Sequence, residues 1–106
     1  MPKYLIEVDY SAEGARGLLA KGGSARRDAA TSLAESVGGT VEAFYFAFGG
    51  TDVYVIIDVP DNATAAAISL TVGASGAMAG RTTVLLTPEE IDAAAQKKVS
   101  FTPMGQ

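Results

Sequence analysis

This chain predicts an α+β fold, with four strands in one antiparallel sheet and the crossover helices gathered on one face. Three observations lead there. Apolar residues alternate along four short segments. Helical periods with their capping residues separate the first segment from the second and the third from the fourth. The second and third are joined by a glycine-rich turn alone. With 106 residues, one domain is the natural count.

Lys3–Tyr10 reads as the first strand, with Tyr4, Ile6, Val8 and Tyr10 on one side and Leu5, Glu7 and Asp9 on the other. Ser11-Ala12-Glu13-Gly14 opens a helix whose short apolar stripe is Ala15, Leu18 and Leu19, and Gly22-Gly23 breaks it. Ser24 is expected to cap a second helical piece to about Val37, with Ala25, Ala29, Leu33 and Val37 four residues apart; Gly38-Gly39 stops it. Thr40–Phe48 and Asp52–Val59 are the next two strands, joined by the hairpin Gly49-Gly50-Thr51, and Pro60 ends the second of them. Asn62 or Thr64 caps a helix to about Ala74. Arg81–Leu86 is the fourth strand. Thr87-Pro88-Glu89-Glu90 starts a last helix, expected to reach Lys98 with two lysines at its C-terminal end. The order βαββαβ with an added helix is the ferredoxin-like pattern. Residues 1–98 form the single domain and 99–106 an extended tail that either frays or lies across a partner subunit.

Composition narrows the chemistry. Twelve acids against eight bases leave a net charge of −4, with 48% hydrophobic and 19% charged residues, which suits a folded soluble domain. The acidic balance argues against nucleic-acid or anionic-membrane partners. The chain has no Cys, His or Trp, which removes disulfides, thiol nucleophiles, Cys/His zinc sites and Ser–His–Asp triads. No metal and no cofactor is expected. The charge-free stretch from Asn62 to Gly80 is rich in Ala, Ser, Thr and Gly and reads as helix and loop rather than a membrane span, and a cytoplasmic setting is the default.

If Phe48 pairs with Val53, then Phe44, Phe46 and Phe48 lie beside Val53, Val55 and Ile57 and face the helices. The opposite face collects Leu5, Glu7, Asp9, Ala43, Tyr45, Ala47, Tyr54, Ile56, Asp58, Arg81, Thr83 and Leu85. It is too apolar to stay bare and too polar for a dry core. A homodimer, with two sheets stacked around a shared chamber, is the economical expectation.

The run Phe44-Tyr45-Phe46-Ala47-Phe48-Gly49-Gly50-Thr51-Asp52-Val53-Tyr54, continuing to Asp58-Val59-Pro60-Asp61, resembles the GYD-domain family. So do Pro2-Lys3-Tyr4-Leu5-Ile6 and the segment from Thr82 to Asp92. Thr51 stands where the Gly-Tyr-Asp signature has Tyr, while Gly49 and Asp52 stand. The resemblance implies a dimeric α/β-barrel type of ferredoxin-like fold in a bacterial protein, and no settled activity.

Two functions from different classes fit these residues. The first is a non-catalytic binding or assembly module whose chamber, lined by Tyr45, Tyr54, Ile56, Asp58, Arg81 and Thr83, holds a small, partly aromatic molecule or is closed core. The second is a cofactor-independent isomerase or monooxygenase acting on a phenolic or lactone-type compound. There Glu7 is the base, Tyr45 and Tyr54 orient an oxygen and Arg81 stabilises developing negative charge. The plainer readings are that Glu7 pairs with Arg81 and that the tyrosines fill an interface. Gly49, Gly50 and Asp52 are assigned to the turn, with the Asp52 carboxylate accepting backbone N–H bonds. Lys21, Arg26 and Arg27 around Gly22-Gly23 could hold a phosphate or carboxylate at the helix N-terminus, but they match no phosphate-loop spacing and read as a solvated helix break.

Overall fold

The computed structural model describes residues 1–105; Gln106, the last residue of the expected tail, lies outside the described residues. The elements are β1 (Lys3–Tyr10), α1 (Ala12–Lys21), α2 (Gly23–Ser36), β2 (Thr40–Phe46), β3 (Val53–Asp58), α3 (Asn62–Ala74), β4 (Met78–Leu85) and α4 (Pro88–Gln96). The four strands form one antiparallel sheet in the order β2-β3-β1-β4, so β1 and β3 are central. α2 and α3 cover the same face, and the core they share with the sheet is built on Tyr4, Val8, Val53, Val55, Ile57, Val59, Ala65 and Ile68.

The strands follow their alternation: β1 has the expected bounds, and its Tyr4 and Val8 are buried. The register of the hairpin differs from expectation by two residues. Phe46, not Phe48, pairs with Val53; Tyr45 faces Tyr54 and Phe44 faces Val55. The reason lies in the connection, which occupies residues 47–52. The Asp52 N–H donates to Val8 O at 3.0 Å, and the Tyr10 N–H donates to the Asp52 carboxylate at 2.9 Å. Asp52 closes the loop, its carbonyl accepting the Ala47 N–H at 2.8 Å. Its carboxylate accepts a backbone N–H as expected and ties the loop to β1, while Phe48 is left fully exposed. A slip of two residues preserves the side on which each side chain stands, so the two faces survive the error. A bulge between Val41 and Ala43 then returns Val41 to the helix side, opposite Ile57.

The caps correct the sequence reading at two helices. α2 starts at Gly23 with Gly22 as its cap and no side chain bonding its first amides, so Ser24 lies inside the helix. α3 is capped by Asp61, whose carboxylate accepts from the Thr64 N–H at 2.8 Å and the Thr64 hydroxyl at 2.7 Å. Asn62 is used elsewhere: its side-chain oxygen accepts the buried Tyr4 hydroxyl at 2.6 Å. At the end of α2, Gly38 takes φ +79°, and the Gly39 N–H donates to Ala34 O at 2.8 Å.

The Thr64 bonds hold the Asp61 carboxyl below its ordinary 3.8. A depressed carboxyl stabilises the fold above its unfolded value, and that contribution is lost as pH falls through the folded value. Asp61→Asn is therefore expected to lower the melting temperature at neutral pH. The gap from wild type should narrow below about pH 4, which thermal melts across an acid series would read.

β4 begins three residues earlier than expected, pairing Met78 with Tyr10. α1 buries none of its residues, and Leu19 of its expected stripe stands in solvent. α4 carries the full capping box, with Thr87 and Glu90 each bonding the other's backbone, but it ends at Gln96. Lys97 and Lys98 therefore lie past its last turn. It too buries no residue, and Ile91, Val99, Phe101 and Met104 are all exposed. The radius of gyration is 17.0 Å and the long axis 58 Å, against about 13 Å for a compact chain of about 100 residues. α4 and the tail form a C-terminal arm that buries none of its described residues.

Candidate functional site

The face of the sheet turned away from the helices carries the sequence-predicted catalytic and ligand-binding residues, in three rows set by the strand register, while Gly49, Gly50 and Asp52 lie in the loop between β2 and β3. Tyr45, Tyr54, Glu7 and Arg81 cross the sheet in one row. Ala43, Ile56, Leu5 and Thr83 form the next, and Asp58, Lys3 and Leu85 the third. The chain's own helices do not roof it: Tyr45 is 70% and Tyr54 39% exposed, while Leu5, Ile56 and Leu85 are half-buried.

Charges border the apolar centre at both ends. Arg81 stretches across β1, its Nε 3.7 Å from a Glu7 oxygen and its Nη1 3.5 Å from an Asp9 oxygen. The same guanidinium donates from Nη2 to the buried Thr51 hydroxyl at 3.1 Å. At the other end, Lys3 Nζ meets Asp58 at 2.9 Å and Glu42 at 3.2 Å, and those bonds, Asp58 first, hold the ammonium charged beyond its ordinary range. The structure thus brings Glu7 and Arg81 together, sets Tyr45 opposite Tyr54 and places Asp58 at the rim. Gly49 and Gly50 lie in the loop with open space around them.

A second site lies on the other side of the sheet. Between α2, α3 and the central strands is a cleft of about 280 Å³. Its floor is Ile6, Val8, Val53, Val55 and Ile57; Leu33 and Ala34 of α2 form one wall and Ile68 and Val72 of α3 the other. The room comes from small residues. Ala29, Ala30 and Ala34 keep α2 thin, and Gly80 presents no side chain from β4. The residues around it are apolar except for Tyr10, Arg26 and Ser69, and the Ser69 hydroxyl is bonded to Thr82 at 2.8 Å. No carboxylate lines the cleft. Among the described residues, no group of three His, Cys, Asp or Glu is placed to hold a metal ion.

The sequence reading missed this cleft. In the sequence Arg26 reads as part of a solvated helix break, and the expected inward stripe of α2 is Ala25, Ala29, Leu33 and Val37. Ala29, Leu33 and Val37 of that stripe do face inward, and only Ala25 stands off the sheet, because steps of four residues overrun the helical turn of about 3.6 residues. The residues facing the cleft are Arg26, Ala29, Ala30, Leu33 and Ala34, while Ala25 is exposed. The available signal was the alanine pairing at 29 and 30.

A family model described as GYD domain matches residues 4–95. Comparison with curated proteins and comparison with solved structures each gave no significant match. No helix among the described residues is long and apolar enough to cross a membrane.

Proposed function

The chain belongs to the GYD domain family, its matched span taking in every strand and most of α4, and on that footing we propose a non-catalytic binding module of ferredoxin-like fold that takes a small apolar or aromatic molecule. One observation carries this reading: a cleft of about 280 Å³ whose walls are almost wholly apolar and free of carboxylates. Binding, not acid–base chemistry, is what such a lining supports. The ligand space so proposed lies between helices and sheet. The chamber expected from the sequence lies on the opposite face and needs a second copy to exist.

That second copy is the partner we assign to the open face. Half-buried Leu5, Ile56 and Leu85 beside exposed Tyr45 and Tyr54 form the apolar centre, and the Arg81 and Lys3 clusters border it, the anatomy of an interface between like subunits. The arm, which buries nothing against its own body, extends the same association.

Native mass spectrometry of protein from bacterial cells tests both parts at once. A dimer or multiple of dimers carrying a small-molecule adduct is expected, with the adduct absent from Ala30→Leu, which fills the cleft. A monomer at micromolar concentration contradicts the assembly. An adduct that persists in folded Ala30→Leu contradicts the site.

A further inference from the structure

Resting on the reading of the helix-side cleft as a binding site, we infer that its ligand is an amphipathic carboxylate, with the apolar body against the sheet and the anionic group on Arg26.

Arg26 is the one charged residue among those that line the cleft. It is half-buried, which suits a side chain whose stem lies on the apolar wall and whose guanidinium reaches the rim. No acid among the described residues pairs with it. Arg27 takes Asp28, Arg81 takes Glu7 and Asp9, and Lys3 takes Glu42 and Asp58. Its position sharpens the point. Arg26 sits in the first turn of α2, which holds no acidic residue and whose opening amides lack a side-chain cap. A cation at the positive end of a helix dipole is disfavoured, and an anion placed beside it relieves both charges. A planar carboxylate matches the guanidinium fork in two parallel hydrogen bonds.

Size limits the apolar body. An apolar cavity of about 150 Å³ takes a benzene ring. The 280 Å³ here therefore suits a molecule about twice as large, a fused bicyclic ring or a chain of about ten carbons.

The test is calorimetric titration of the full chain with two probes of like shape, 2-naphthoate and the neutral 2-naphthalenemethanol. Wild type is expected to bind the carboxylate about tenfold more tightly or better, in keeping with a charge-assisted contact. Arg26→Met, which keeps the stem, should bring the two probes to within about twofold by weakening naphthoate alone. Arg27→Gln, next along the helix, should change neither. Equal affinities in wild type, or a carboxylate preference that survives Arg26→Met, overturn the anchoring role while the cleft remains a site. If neither probe binds folded wild type, the binding reading fails, and this inference with it.

Discussion

Ile56→Asp is expected to turn the proposed homodimer into folded monomers. Ile56 stands on central strand β3, half-buried in the single chain, between Ala43 and Leu5 in the middle row of the open face. Within one chain the new carboxylate reaches water, so the fold should hold. Within a stacked pair it is desolvated at the centre of the apolar patch, with no cation in its own row to meet it. A hot-spot residue near the centre of an interface costs about 2–4 kcal/mol when lost, or about 30- to 1,000-fold in affinity. Sedimentation velocity over a concentration series reads this directly. Tyr45→Ala should weaken association in the same direction. Leu19→Asp, on exposed α1, should leave it unchanged. Dimers that tolerate Ile56→Asp would place the interface elsewhere.

The second large effect is on stability and turns on one close approach. Gly39 lies where the end of α2 meets the end of β3. A Cβ there would collide with Asp58 O, come within 2.7 Å of Val59 Cγ1 and stand 3.3 Å from Ala34 O. Val59 is fully buried, so the collision cannot be relieved by swinging a loose side chain away. Gly39→Ala is expected to destabilise by about 3 kcal/mol, the upper range for overpacking, and to lower the melting temperature by roughly 15 °C. Gly17→Ala is the counterpart. Nothing lies within 4 Å of a Cβ at Gly17 in α1, so the helix should gain about 0.5–1 kcal/mol from the lost backbone freedom. Urea titration of both variants measures opposite signs for the same chemical change.

The sheet was legible because period-two alternation is local: Tyr4, Ile6, Val8 and Tyr10 name their side without knowledge of any neighbour. The open face was equally legible, down to the meeting of Glu7 with Arg81 across β1 and β4. What the sequence left hidden depends on long-range contacts. Asp52 moves the register by bonding Tyr10, a residue 42 positions away. Thr51 is buried under Arg81, a residue 30 positions away, where a turn reading puts it in solvent. The cleft was hidden for a related reason. Its volume is the space left between α2 and α3, a quantity that neither helix carries in its own pattern. Arg26 gains its meaning only once that space has walls.

The position of the arm in the chain also sets an order of events. Every strand of the sheet ends by Leu85, and α4 and the tail lie beyond it. Synthesis runs from the N-terminus, and domains generally fold as units as they emerge. Every strand is therefore synthesised before the arm, and none waits on it for a pairing partner. A segment that buries none of its residues against the body sets no condition on the body's closure.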